Sequence, residues 1–197
     1  MPIVNGYATL AEVKARLSIE TADTADDTSL EQVIAAASRM IDSETAREFY
    51  ATTDTRYYTA DDAGFLVTDD LITITTLATD ETGDRTYTAT WATTDYDLTP
   101  TNKPPHNIVT TPPNGRYGFP PYARGVKVVG SFGYCATGAH PAPIREACII
   151  QAVRIFKRKD SPFGVFGTPE LGMARLPRVD MDVAEMLHPY RRLVIVG

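Results

Sequence analysis

The periodicity of the apolar side chains changes twice along this chain, and these two changes constrain its fold more than any other feature. Residues 28–49 place apolar side chains at the i, i+3, i+4 and i+7 spacing of an amphipathic helix. From Ala51 the period falls towards two, Thr and Asp become frequent, and turn residues recur at short intervals. Helical spacing returns after Pro141. The sequence therefore predicts an α+β fold, in which a small antiparallel β insertion separates the second and third helices of a helical base.

The helical base is predicted to contain four helices, within residues 7–50 and 141–190. They run from Thr9 to about Leu17, from Thr28 to about Phe49, from Pro143 to the basic residues at 154–159, and from Met181 to His188. Thr9 and Thr28 each begin a capping-box pattern, which satisfies two backbone N–H groups at a helix start. Each helix carries an apolar stripe, so the helices on either side of the insertion are expected to pack together. The 197 residues would then form one folding unit and not two tandem domains.

The β insertion is predicted to span residues 51–140. Its short predicted strands cover residues 56–59, 64–67, 71–75, 87–91, 96–98 and 125–134. Residues 100–125 are predicted to form a loop rich in Pro, Gly and aromatic residues. Aromatic side chains on such a loop suit an interface, but they can equally fold over their own sheet. Both interpretations of the segment Tyr117–Tyr122 stay open from the sequence.

Charge is distributed unevenly along the chain. Residues 1–98 contain 6 Lys and Arg against 19 Asp and Glu, a balance of −13, whereas residues 99–197 contain 13 against 6, a balance of +7. One interpretation is that acidic and basic faces simply solvate the fold. The other is head-to-tail association, in which the acidic face of one subunit meets the basic face of the next.

The residues that usually carry catalysis are few and isolated. The three histidines are His106, His140 and His188, and none has further ligands at the spacing of a metal site. Asp180 and Asp182 are better explained as the cap and dipole partner of the last helix than as a metal pair. Cys135 and Cys148 are predicted to be reduced thiols. We therefore predict no enzyme activity, no metal site and no cofactor.

Cations cluster at the end of the third predicted helix, and aromatic residues follow in the long loop at 160–178. The candidate channel or intersubunit residues of this region are Arg154, Lys157, Arg158, Lys159, Phe163 and Phe166. A sequence pI near 5.0 argues against tight DNA binding, because affinity for phosphates comes with a strongly basic surface. Passing contact with DNA stays open. No apolar run approaches the roughly 20 residues of a membrane span, and the first residues lack the features of a signal peptide, so no membrane partner is expected.

The last nine residues contain two arginines and then four consecutive apolar residues, at a position where chains are usually frayed and polar. The candidate docking residues are Tyr190, Arg191, Arg192, Leu193, Val194, Ile195 and Val196. The run Leu193–Val196 has the composition of a strand, but no later element of this sequence can pair with it. We therefore predict that residues 189–197 form a docking tail, which could bind by adding a strand to a partner's sheet.

Three stretches of the helical base carry a family likeness. They are Tyr7–Leu17, residues 26–42 with their acidic lead-in, and the pair of segments at 143–148 and 187–192. In this order they resemble the short first helix, the next helix, and the later helices and closing motif of the head–tail connector (adaptor) proteins of long-tailed bacteriophages. The likeness covers about half of the chain. The β insertion departs from the shorter members of that family, which are almost wholly helical.

This resemblance implies a ring of about a dozen copies, docked on the portal protein and followed by a stopper or tail protein. DNA would pass through the ring, and the subunit would lie in the neck of the virion after assembly in the host cytoplasm. The long loop at 160–178 would line the channel or contact the neighbouring subunit. The tail would anchor on the portal or on the adjacent subunit.

A second hypothesis is a β-rich ligand-binding module of the carbohydrate type, carried on a helical base. Its support is a set of aromatic residues in the predicted strands, namely Trp91, Tyr57, Tyr58, Tyr87 and Tyr96. Alternating aromatic residues, however, more often form the core of a sheet.

Overall fold

The computed structural model describes residues 3–158, 165–166, 174–175 and 180–192. Its contacts divide the chain into a helical unit, Met1–Arg47 with His140–Gly197, and a β unit, Glu48–Ala139. The predicted fold class is confirmed, because an antiparallel sheet of six strands lies between the second and third of four helices. No helix within the described residues is long and apolar enough to cross a membrane.

The helical unit is built from α1 (Leu10–Leu17), α2 (Asp27–Thr45), α3 (Ala142–Lys157) and α4 (Met181–Leu187), and a 3₁₀ helix (His188–Tyr190) follows α4 directly. The capping box predicted for α1 is confirmed. The Thr9 hydroxyl accepts from the Glu12 N–H at 3.2 Å, and the Glu12 carboxylate accepts from the Thr9 N–H at 2.8 Å. Between the helices lie fully buried apolar side chains: Val13, Leu30, Ile34, Ile41, Ile144, Ala147, Cys148, Val183 and Leu187.

Both predicted ends of α2 were wrong. The helix begins at Asp27 with Asp26 as its N-cap, and no side chain caps it, so Thr28 lies inside the first turn. It ends at Thr45, because Ala46 adopts a left-handed conformation with φ 52°. Phe49, which fits the helical stripe in the sequence, lies beyond the helix end and packs against the Tyr134 ring, with 4.9 Å between centroids.

A buried lysine fixes the loop between α1 and α2. The Lys14 side chain is only 4% exposed, and its Nζ donates to the carbonyl oxygens of Asp23 at 2.6 Å and Thr21 at 3.3 Å. It also forms an ion pair with Asp27. A buried ammonium group needs such acceptors to offset its lost hydration. The acidic loop at residues 18–26 is therefore held by a cation from α1.

The β unit contains β1 (Thr52–Tyr58), β2 (Phe65–Thr79), β3 (Ala89–Trp91), β4 (Asp97–Thr99), β5 (His106–Thr110) and β6 (Val126–Phe132). The strand order is β1-β6-β2-β5-β4, every pairing is antiparallel, and β3 pairs with the end of β2. A separate pair of two-residue strands, β7 (Val165–Phe166) and β8 (Ala174–Arg175), belongs to the helical unit.

Two strand predictions were wrong in instructive ways. Residues 64–67 and 71–75 were predicted as separate strands, but β2 continues through both because register shifts against β5 and β6 absorb the irregular part. On β6, Gly130 faces one of these irregularities, and a Cβ there would collide with the Thr73 carbonyl oxygen. Residues 106–110 were predicted as loop, but they form β5. The alternation of apolar side chains is short here and prolines lie on both sides, so the sequence pattern favours a loop.

The core of the β unit lies on one face of the sheet. Its buried side chains are Ala60, Leu66, Leu71, Leu77, Trp91, Val109, Phe119, Val126, Val128 and Phe132. The Trp91 indole stacks against Phe119 at 4.7 Å and Tyr117 at 5.2 Å between centroids, and its N–H donates to the Thr79 hydroxyl at 3.0 Å. The aromatic loop therefore folds over its own sheet, which resolves the two interpretations left open by the sequence.

Candidate functional site

The segment that leads into the predicted docking tail is fixed on the C-terminal end of α2. The Arg191 guanidinium forms an ion pair with Glu44, and the Arg192 N–H donates to the Thr45 carbonyl oxygen at 2.8 Å. That carbonyl belongs to the last turn of α2, where the helix leaves its carbonyl groups without intrahelical partners. Tyr190 is half-buried at the end of the 3₁₀ helix. The tail residues Leu193–Val196 lie outside the described residues.

The C-terminal turn of α3 presents the candidate cations in two ways. Arg154 is half-buried and pairs with Asp180 at 3.2 Å, which ties the start of α4 to the end of α3. Lys157 and Arg158 are exposed, and neither has an ion-pair partner among the described residues. Phe166 lies in β7, whereas Lys159 and Phe163 fall outside the described part of the chain.

Within the helical unit, ion pairs join the helix before the β insertion, α1, to the helix after it, α3. Arg16 on α1 pairs with Glu146 on α3 at 2.6 Å, and Glu12 pairs with Arg145 at 3.7 Å. The helical unit holds 14 carboxylates and 13 Lys or Arg, a balance of −1, while the β unit holds 11 and 6, a balance of −5. The charge division between the halves of the sequence is therefore not a division between the two units. Negative charge concentrates on the β unit.

The solvent face of the β unit carries an aromatic and cationic cluster at one end. Tyr57 and Tyr87 lie 5.4 Å apart between ring centroids. The Arg124 guanidinium lies over the Tyr57 ring at 4.7 Å, and Lys127 lies over the Tyr87 ring at 5.3 Å. These contacts occupy the ring faces of the two tyrosines. Because Trp91 is buried under Tyr117 and Phe119, the tryptophan is not available as a platform for a sugar.

The histidines are dispersed in the structure. His106 is buried, with Nδ1 at 2.7 Å from the Pro100 carbonyl oxygen, and His188 begins the 3₁₀ helix. His140 packs against the Tyr7 ring at 5.5 Å, and its burial, with Arg145 nearby, lowers its pKa. Within the described residues no group of three or more His, Cys, Asp or Glu could hold a metal ion.

The predictions for Asp180 and for the two cysteines are confirmed. The Asp180 carboxylate accepts from the Asp182 N–H at 3.0 Å and so caps α4, as the sequence predicts. Cys135 and Cys148 are both free thiols.

Sequence reasoning missed three exposed apolar side chains. Phe65 and Val67 on β2 are 42% and 55% exposed, and Met181 on α4 is 78% exposed. The sequence gives only a weak indication of this exposure. Phe65, Leu66 and Val67 are consecutive, which predicts a strand with apolar side chains on both faces but does not predict that one face is exposed to solvent. Met181 directly follows the capping residue of α4, and the apolar periodicity of the helix does not predict whether a side chain at that position is buried.

The chain is an α+β protein whose helical unit and β unit present apolar, aromatic and charged surfaces suited to contacts with other macromolecules. A search of protein-family models and a search of curated proteins both give no match.

Three solved structures with a similar fold come from gene transfer agent particles. One is the neck of an empty gene transfer agent (GTA) particle computed with C6 symmetry, with a TM-score of 0.59 and 16% identity. A second is the virion of a native GTA particle, with a TM-score of 0.60 and 18% identity. A third is the neck of a native GTA particle computed with C12 symmetry, with a TM-score of 0.57 and 17% identity. Each alignment covers 100% of this chain and 95% of the other. At this identity the likeness is one of fold, and it agrees with the resemblance to head–tail connectors.

Proposed function

We propose that the chain is a structural subunit of the neck of a phage-like particle, a head–tail connector that joins the capsid to the tail or stopper. The observation that carries this proposal is a shared fold across the whole chain with proteins from GTA particles and their necks. The alignment includes the β unit, so the part that departs from the shorter connectors has a counterpart in those proteins. The virion neck would be the site of action, after assembly in the host cytoplasm.

A ring of identical copies is the assembly that we propose. Two of the similar structures were computed with sixfold and twelvefold cyclic symmetry, and a head-to-tail contact that closes on itself produces such a ring. We further propose that the portal protein lies on one side of the ring, a stopper or tail protein lies on the other, and DNA passes through the middle. The residues Arg154, Lys157, Arg158, Lys159, Phe163 and Phe166 would face the channel or the neighbouring subunit.

The docking tail supplies the anchor in this proposal. Arg191 and Arg192 hold the start of the tail on α2, and this contact fixes the point at which the apolar run Leu193–Val196 begins. A fixed starting point reduces the entropy that the tail loses when it binds a partner. Tyr190 and the two arginines would thus position the segment, and the apolar residues would bind.

A truncation tests the anchor directly. A chain that ends at Arg192 keeps the contacts of Arg191 and Arg192 with α2, so we expect it to fold but to lose binding to purified portal protein. A full-length variant with Leu193→Ser and Ile195→Ser should lose binding as well, whereas Val4→Ser, at an apolar side chain that is 69% exposed, should bind normally. Electron microscopy of the chain with portal should show rings. Normal portal binding by the truncated chain would refute the anchor, and a wild-type chain that ignores both portal and tail proteins would refute the connector function.

A further inference from the structure

The β unit has an apolar patch on the solvent face of its sheet. Phe65 and Val67 point away from the core, because Leu66 between them is fully buried. The strand register places Val67 opposite Ile108 of β5, which is half-buried. We call Phe65, Val67 and Ile108 the β2 patch. On the edge strand β1 the exposed side chains are Thr, Asp and Tyr57, and the Arg124 guanidinium covers the Tyr57 ring, so Phe65 and Val67 form a separate apolar patch.

Exposed carboxylates lie around the β2 patch. Asp97 of β4 is in register with Thr110, which is itself in register with Phe65, so the three share one row across the sheet. Asp61 and Asp62 precede Phe65 in the turn that leads into β2, and the Asp62 carboxylate accepts from the Gly64 N–H at 2.6 Å. The apolar patch therefore has a negative rim, on a unit whose formal balance is −5.

The helical unit has an exposed corner with the opposite character. The pair between Arg154 and Asp180 brings the start of α4 to the last turn of α3. Met181, the next residue, is 78% exposed, and Lys157 and Arg158 are exposed at the end of α3. We call Met181, Lys157 and Arg158 the α3–α4 corner. Asp182 beside Met181 and Glu185 one turn further along α4 are also exposed, so the positive charge of this corner lies at the end of α3.

We infer that the β2 patch of one copy binds the α3–α4 corner of a second copy, an inference that rests on the proposed connector function. A thioether packs favourably against an aromatic ring, so Met181 would contact Phe65 while Lys157 and Arg158 meet the acidic rim. The occupant is a second copy because this chain itself presents both members of the complementary pair. The two surfaces differ, so the contact is heterologous and, repeated around an axis, produces a closed ring.

Charge reversal in separate copies tests this contact. The first variant carries Asp61→Lys and Asp97→Lys, two exposed carboxylates without a hydrogen bond among the described residues, and the second carries Lys157→Glu and Arg158→Glu. Each variant alone brings like charges together, and we expect its self-association to weaken at least about tenfold. An equimolar mixture restores opposite charges at every contact of an alternating ring, so assembly should return. Controls with equal charge changes are Glu20→Lys with Glu81→Lys, and Arg85→Glu with Lys103→Glu.

Native mass spectrometry and sedimentation, with the chain alone and with portal protein, give the readout. Rescue in the mixture supports the contact, because a contact inside one chain would need both changes in the same molecule. Rings that form equally well with each variant alone would overturn the inference and leave the connector function standing. A wild-type chain that forms no ring in either setting would overturn both.

The apolar part of the contact has its own variant. Met181→Gln keeps a good helix former of similar length but removes the apolar end, and we expect it to weaken self-association by about tenfold. Val4→Thr, at another exposed apolar side chain of the helical unit, is the matched control and should assemble like the wild type. Equal assembly of Met181→Gln and the wild type would show that Met181 is not an anchor.

Discussion

Replacement of Phe119 by Ala should destabilise the β unit strongly and expose its tryptophan. The Phe119 side chain is 1% exposed, and its ring stacks on Trp91 with an interplanar angle of 18°. Truncation of a buried Phe costs about 3–5 kcal/mol through lost transfer free energy and the cavity left behind. About 0.5–1.5 kcal/mol of this belongs to the aromatic pair itself. The Phe119 N–H still donates to the Ala63 carbonyl oxygen in the variant, so the loop keeps its backbone anchor.

Phe65→Ala is the matched control, since it makes the same chemical change in the same unit at a side chain that is 42% exposed. We expect it to cost about 1 kcal/mol, mainly in strand propensity and partial burial. Urea unfolding followed by the fluorescence of Trp91, the single tryptophan, measures both variants. The Phe119 variant should also show a red-shifted native emission. If the two substitutions cost the same and the native emission is unchanged, the loop does not cover Trp91.

Two further predictions concern titratable groups. Burial alone would raise the pKa of Asp80, but the N–H groups of Arg85, Gly83 and Thr82 donate to its carboxylate at 2.6, 2.8 and 3.0 Å and lower that pKa. A lowered folded-state pKa gives stability that is present above the unfolded-state pKa and is lost as the pH falls through the folded-state pKa. Between about pH 5 and pH 2, the urea midpoint of unfolding, followed by Trp91 fluorescence, should therefore fall more steeply in the wild type than in Asp80→Asn. Glu81→Gln should follow the wild type, and parallel curves for all three proteins would contradict the assignment. Burial raises the pKa of Cys148 to about 11 and also raises the pKa of the half-buried Cys135. At about pH 8 a thiol reagent should therefore modify Cys148 in the Cys135→Ser variant only as fast as the helical unit opens. Rapid modification of that variant would contradict the burial of Cys148.

The parts of the fold that were predictable are those in which local chemistry and tertiary packing agree. The capping box at Thr9 decides the start of α1 by itself, and Asp180 does the same for α4. The start of α2 was misplaced because a capping-box pattern at Thr28 competes with an equally acceptable start two residues earlier, and the backbone takes the earlier one. Its end was misplaced because Phe49 continues the apolar period by chance.

The sheet and the surfaces needed information that a single sequence lacks. The prolines on both sides of residues 106–110 predict a loop there, and the strand β5 forms because it pairs with β2, which is distant along the chain. The open face of Phe65 and Val67 depends on what the rest of the fold leaves uncovered, and no pattern within β2 records this. Lys14 carried no sequence signal as a buried cation, because two of its acceptors are backbone carbonyl groups and its ion-pair partner Asp27 lies 13 residues further along the chain.

The ion pairs of the helical unit bear on how the proposed ring would pass DNA without binding it. Cations retain DNA by displacing its counterions, and a cation already paired with a carboxylate contributes little to that exchange. Arg16, Arg145 and Arg191 are paired within the helical unit, as is Arg154. Among the described residues of the helical unit, Lys157 and Arg158 at the end of α3 are the exposed cations without an ion-pair partner. If the acidic rim of a neighbouring copy neutralises them, the same contact that closes the ring also lowers its affinity for the DNA inside.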